Sequence, residues 1–283
     1  MKITIWGTRG SIPAPSPENN YFGGNTSCVE VRQGDTMVIL DAGSGIRRLG
    51  DAFPSGISRI DILLTHLHLD HIMGLGFFMP LYNPDMQVNI WGPTSTRESL
   101  LTRLQRYLSP PLFPIRLQDL PCQPNIIEIN QSNFKIGPLN ITSSYVCHPG
   151  PTVGYRIENG NTILAYIPDH EPALGSSHFP QEKDWTSGYE LAHGADLLLH
   201  DAQYTPDEYR PRVGWGHSSM GDALKFATIA EVKKLLLFHH DPSHTDQHLR
   251  ELLQNAMGDT TFPFAVGIAA EGDVIDLAVP ETA

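Results

Sequence analysis

The order of elements in this chain predicts an α/β fold, a sandwich made of two similar halves. Three observations carry that prediction. Apolar runs of strand length alternate with stretches of helical periodicity. The succession of strands and then helices occurs once in the first part of the chain and again in the second. Several strand-like runs stop abruptly in turns bearing His or Asp: 60–64 before Thr65-His66, 139–146 before Cys147-His148, 162–167 before Pro168-Asp169 and 233–238 before His239. A strand that ends this way delivers its last side chains to one rim of a sheet.

Residues 2–6 alternate as a strand until Gly7-Thr8-Arg9-Gly10-Ser11 breaks it, and Pro13, Pro15 and Pro17 keep the next segment irregular. Strands follow at 28–32 and 37–40 around Gly34-Asp35. Asp41 to Gly45 then turn into a helix that runs to about Asp51, for which Asp41 reads as the cap. After 60–71 come a helix at 73–79, a strand at 87–91 and a helical pattern at 95–108. The Pro-rich stretch 109–125 reads as a surface excursion, part of a substrate mouth or of a dimer contact. Strands resume at 126–129, 134–136 and 139–146, and a hairpin joins 152–158 to 162–167 through Asn159-Gly160-Asn161. The strand 196–199, the helix 220–230 capped by Ser218 or Ser219, the strand 233–238, the helix 244–257 and short strands at 264–266 and 274–277 complete the pattern.

With 283 residues the chain can bury one large core or two modest ones, and a single domain over 1–283 is expected. Its formal charge of −12 comes from 19 basic and 31 acidic residues, so a long polyanion would meet net repulsion and no long nucleic acid is expected as partner. A small anionic substrate escapes that objection if metal ions supply local positive charge. The three cysteines, Cys28, Cys122 and Cys147, have no paired spacing and read as reduced thiols of a cytoplasmic protein. No apolar run suggests export or a membrane.

The densest chemistry lies in Thr65-His66-Leu67-His68-Leu69-Asp70-His71. Four groups able to bind metal fall within six residues. Imidazole and carboxylate without thiolate suit Zn(II) or Mn(II). A His-rich solvated turn is the alternative for any one of these residues alone; four together point to metal.

This pattern after an apolar strand resembles the signature of the metallo-β-lactamase superfamily, and the resemblance extends along nearly the whole chain. It implies a four-layer αββα sandwich with a dinuclear metal site at one edge. One metal would be held by His66, His68 and His148, a second by Asp70, His71 and His239, with Asp169 shared between them. Asp41 would brace the His-rich loop. His240 stands as the alternative to His239, because a one-residue shift reverses the face a strand side chain meets. His170 and Glu171 read as rim groups, and Cys147 is expected to face away from the metals.

Asp201 and His217, in His200-Asp201-Ala202 and Gly216-His217-Ser218, resemble the carboxylate and imidazole of the phosphodiesterase branch, typified by ribonuclease Z and the phosphoribosyl cyclic phosphodiesterases. His217 would donate a proton to the leaving oxygen and Asp201 would orient it; a packing role at a helix start is the alternative for His217. Two cations on one water would lower its pKa toward about 7 and generate the hydroxide nucleophile. Gly7 to Pro13, Phe22 to Cys28 and Leu40 to Gly43 resemble a bacterial subgroup associated with cyclic-nucleotide cleavage, whose relatives include the anti-Pycsar phosphodiesterases. The expected substrate is therefore a small cyclic nucleotide, with Tyr21, Phe22, Tyr204 or Trp215 as stacking faces or else as core. Relatives are often dimers, so a homodimer is possible. A tRNA 3′-processing endoribonuclease is the runner-up, weakened because a basic Gly/Pro-rich arm is not found. A metal-binding sensor and an acyl hydrolase are the readings from other classes.

Overall fold

The computed structural model describes residues 1–176, 179–180 and 182–277. Its strands are β1 (Lys2–Gly7), β2 (Cys28–Gln33), β3 (Thr36–Leu40), β4 (Arg59–Leu63), β5 (Gln87–Pro93), β6 (Asn125–Ile129), β7 (Ser132–Ile136), β8 (Leu139–Tyr145), β9 (Val153–Asn159), β10 (Thr162–Ile167), β11 (Leu197–Asp201), β12 (Lys234–Phe238), β13 (Ala265–Ile268) and β14 (Val274–Asp276). The helices are α1 (Ile46–Asp51), α2 (Leu69–Ile72), α3 (Leu100–Tyr107), α4 (Tyr189–Ala192), α5 (Pro206–Tyr209), α6 (Met220–Ile229) and α7 (Asp246–Met257). One sheet runs in the order β14-β1-β2-β3-β4-β5-β6 and the other in the order β13-β12-β11-β10-β9-β8-β7.

Each sheet begins as an antiparallel meander and continues as parallel strands, β3 through β6 in the first and β10 through β13 in the second. The two halves of the chain therefore share a design, as the element order predicts. Along β4, Ile60 and Ile62 pack outward with Ile46, Leu49 and Leu104, while Leu63 faces the other sheet. Along β11, Leu197 and Leu199 meet Tyr155, Tyr166 and Phe238 between the sheets, while Leu198 packs with Leu224 and Leu249 outside. Strands apolar on both faces require cover on both faces. The result is the αββα sandwich, with three cores between four layers.

Several local details differ from the expected ones. The α-helix anticipated at 73–79 does not form: α2 ends at Ile72, and 3₁₀ turns follow at Leu75–Phe77 and Met79–Tyr82, because Gly74, Gly76 and Pro80 interrupt a longer helix. Helix α3 starts at Leu100 because Ser99 accepts from the Thr102 amide, and α7 starts at Asp246 because Thr245 accepts from that of His248. The stretch 109–125 buries Phe113, Leu117 and Leu120 against the first outer core, so it is cover for that core as well as surface. Among the described residues, no helix is long and apolar enough to cross a membrane.

Candidate metal centre and its acid

The carboxyl ends of β4, β11 and β12 open on one rim, joined there by the ends of β8 and β10. Ligand sites in α/β sheets form outside such strand ends. Two groups of side chains converge on this rim: His66, His68, His148 and Asp169, and beside them Asp70, His71 and His239, with the ligating atoms of each group within 4.8 Å of one another. Nitrogen meets nitrogen, His148 Nε2 at 3.1 Å from His68 Nδ1 and His71 Nε2 at 3.4 Å from His239 Nε2. Asp169 lies between the groups, Oδ1 at 3.0 Å from His71 Nε2 and Oδ2 at 3.7 and 3.8 Å from His66 and His148. Asp70 Oδ2 is 3.1 Å from His239 Nε2 and 3.3 Å from His71 Nε2.

A divalent cation pair fits this donor set. Asp41, Asp70, Asp169 and Asp201 are all buried around the rim, and none pairs with Lys or Arg among the described residues. Buried charge of that density is paired or coordinates metal. His66 Nε2 is buried without a hydrogen-bond partner and points into the cluster. Burial pushes His66 and His68 down and holds His148 near about 4, which keeps their lone pairs available. Although burial opposes it, the carboxylates of Asp169, Asp70 and Asp41 raise His71. Despite burial, nearby imidazoles draw Asp70 and Asp169 below the usual carboxylate range.

The supports come from both halves. Asp41 takes the bracing place: its carboxylate accepts from the Thr65 amide at 2.7 Å and from Tyr166 Oη at 3.0 Å, and it meets His71 Nδ1 at 2.8 Å. The cap position of α1 belongs to Gly45 instead. The Ser11 amide donates to Asp70 Oδ2 at 2.7 Å, and Gly10 packs so closely on the His239 ring that a Cβ would strike it. His240 turns away, its Nε2 at 3.0 Å from the Ala269 carbonyl, and burial lowers it to about 3. His239 is thus the one of the pair that reaches the cluster.

His217 sits over the cluster, its ring centroid 5.0 Å from that of His239 and 5.1 Å from that of His148. Its Nδ1 is 2.7 Å from Asp201 Oδ2, and Asp201 also accepts from the amides of His170, Gln203 and Ser218. Burial opposes protonation of His217, yet the Asp201 charge and hydrogen bond, followed by Asp169 and Asp70, push it up to about 9. An imidazole whose charged form Asp201 favours therefore faces the ligand cluster.

Of the four aromatic residues offered as stacking faces, Tyr21 and Trp215 are 64% and 59% exposed. Phe22 and Tyr204 are buried, which is the core alternative of that reading: Phe22 packs on Tyr21 and His240, and Tyr204 lies edge-on to His217. His170 and Glu171 are buried under the rim rather than on it, because the turn after β10 folds them beneath the loop that carries His217. Sequence reasoning missed Tyr166, Ser11 and Gly10 as supports. Tyr166 had a signal, a phenol in an otherwise apolar buried strand whose hydroxyl needs a partner; backbone contacts from Ser11 and Gly10 leave none. The three cysteines are free thiols.

The model of the β-lactamase superfamily domain matches residues 36–240. The ribonuclease Z of Natronomonas pharaonis is 21% identical over 99% of both chains. Among solved structures, the metallo-β-lactamase fold protein YhfI of Bacillus subtilis aligns with TM-score 0.70 at 20% identity, over 97% of this chain and 99% of that one. A diphosphatase of the PhnP family aligns with TM-score 0.69 at 18% identity, over 97% of this chain. Two sheets meeting at one rim, the convergent His and Asp residues and a family match over most of the length agree: the chain belongs to the metallo-β-lactamase superfamily.

Proposed function

We propose that this protein hydrolyses a small cyclic nucleotide phosphodiester with the help of two divalent cations, Zn(II) or Mn(II). His66, His68 and His148 would hold one, Asp70, His71 and His239 the other, and Asp169 both. When bound, such cations lower the pKa of a water and offset charge on the phosphate oxygens. The observation that carries the reading is His217, held over the cluster by its 2.7 Å contact with Asp201, its ring 5.0 Å from that of His239. The oxygen of a water that has given one proton to solvent forms the new bond to phosphorus, the ester bond to the ribose oxygen breaks, and that oxygen takes the His217 proton, which solvent then restores. Asp201 keeps the ring oriented throughout.

A compact substrate suits the surface as well. The groove beside the turn after His148 is lined by Thr94, Ser95, Thr96, Tyr145 and a single cation, Arg97, which is little for a nucleic-acid strand in a chain of net charge −12. Exposed Trp215, with the Arg212 guanidinium 5.9 Å from its ring, offers a face for one base. A homodimer belongs to the same proposal, supported by exposed Phe77, Met79 and Leu112 along one groove, and light scattering tests it.

The second reading, tRNA 3′-end processing, is favoured by the full-length likeness to ribonuclease Z. One plate separates the readings: cyclic mononucleotides, bis-p-nitrophenyl phosphate, a precursor tRNA and a thioester, each with Zn(II) and Mn(II) and with product identification. The proposal expects ring opening to a nucleoside monophosphate. Cleavage of the tRNA alone transfers the assignment to the second reading, activity on the thioester alone to an acyl hydrolase, and metal binding without any turnover to a sensor.

A further inference from the structure

We propose that Glu171 is the positioning residue that docks the His217 loop onto the strand ends bearing Asp169 and His148. This rests on the phosphodiesterase reading above. Glu171 is 1% exposed, and among the described residues no Lys or Arg pairs with it. Its Oε1 accepts from Tyr209 Oη and from the Gly214 amide, each at 2.8 Å, and its Oε2 accepts from the Gly216 amide at 2.7 Å. All three donors belong to the segment that ends in His217. The Glu171 amide in turn donates to the Cys147 carbonyl at 2.8 Å, and the Gly216 carbonyl lies 2.8 Å from His148 Nδ1. The Glu171 side chain thus holds the acid's loop while its backbone amide and the loop's Gly216 carbonyl join that loop to the strand ends that carry candidate ligands.

A buried carboxylate without a cation is tolerated because its lone pairs are met by donors. Every partner here donates, so the site demands an acceptor-only group. Glutamine would set an NH₂ against at least one N–H. Among the described residues the His217 ring hydrogen-bonds to Asp201, and an imidazole displaced by about 1 Å loses roughly 10²-fold in proton delivery. Glu171 acts through His217 and touches neither substrate nor metal.

The test is Glu171→Gln on the full chain at saturating metal, assayed on two phosphodiesters. A cyclic mononucleotide leaves as an alkoxide and needs the proton; bis-p-nitrophenyl phosphate leaves as a stable phenolate and does not. The expected result is a loss of about 10–100-fold on the cyclic nucleotide and at most about threefold on the phenolate ester, with the metal content per chain unchanged. Equal losses on both substrates, no loss on either, or a fall in metal content each overturn it. Should the variant's melting temperature collapse, Tyr209→Phe decides, with a smaller loss of about two- to fivefold confined to the cyclic nucleotide and overturned by equal effects. Wild-type protein inert toward both esters would remove the phosphodiesterase reading itself, a different failure from a non-selective variant.

Discussion

The two halves of the molecule build one rim in different ways. The first half spends a single loop on it: after β4, His66, His68, Asp70 and His71 follow one another and are braced from beneath by Asp41. The second half sends a residue or two from each of several strand ends, His148 after β8, Asp169 after β10, Asp201 at the end of β11 and His239 after β12, and adds His217 from a loop of its own. The first arrangement is local and its geometry follows from a few dihedral angles. The second depends on the register of the whole sheet, and it supplies both the carboxylate that lies between the two clusters and the imidazole proposed as proton donor. Metal affinity should therefore be spread over both halves, whereas leaving-group chemistry should belong to the second alone.

Substitutions can break that division. Asp169→Ala is expected to have the largest effect, a loss of at least about a thousandfold in kcat/KM together with lowered metal content, since several kcal/mol of stabilisation go with the shared ligand; metal analysis alongside kinetics checks it. His217→Ala should cost about 10²–10⁴-fold on alkoxide-leaving substrates while metal content stays at the wild-type level. Asp41→Asn, which weakens the brace of the first half, should reduce metal affinity about 10–100-fold, and a chelator titration would reveal this even where activity at excess metal is normal.

The pH profile sharpens the comparison further. With His217 pushed up to about 9, its protonated form dominates below that value and is lost as pH rises through it. Activity on a cyclic nucleotide should hold through about pH 8 and fall beyond about 9, with no such limb in His217→Ala or with a phenolate leaving group. Bound cations would neutralise the share of the shift that Asp169 and Asp70 contribute, but the larger contribution of Asp201 remains. The same sign applies to stability. The raised pKa contributes fully below the unfolded value of about 6.5 and is lost as pH climbs through the folded one. The smallest effect is expected for Trp215→Ala, a few-fold rise in KM with kcat little changed, as loss of one stacking face on a base would give.

What could be read from the chain follows the same divide. The sandwich was legible because its strands are apolar on both faces and stop in polar turns, and the first-half loop was legible because its residues are contiguous. Of the second-half positions, a lone His148 or Asp169 has no local pattern, and their assignment leaned on resemblance to a family. His170 and Glu171 were misplaced on the rim because simple alternation was carried past the end of β10, where the strand has become a turn. Phe22 and Tyr204 could not be told from exposed aromatics, since burial of a loop residue depends on which distant segments close over it. The choice between His239 and His240 needed the backbone: His239 has a positive φ of 59°, which turns its ring into the cluster, and no periodic reading anticipates that.

The central claim is that seven side chains hold two cations that together make a phosphodiesterase. Metal-stripped protein titrated with Zn(II) or Mn(II), with bis-p-nitrophenyl phosphate turnover and bound metal followed together, tests it most directly. The account predicts no turnover without metal, a rise that levels at two ions per chain, and no second ion in Asp169→Ala. Full turnover in the stripped protein, or saturation of binding at two ions with no turnover of any phosphodiester, would contradict it.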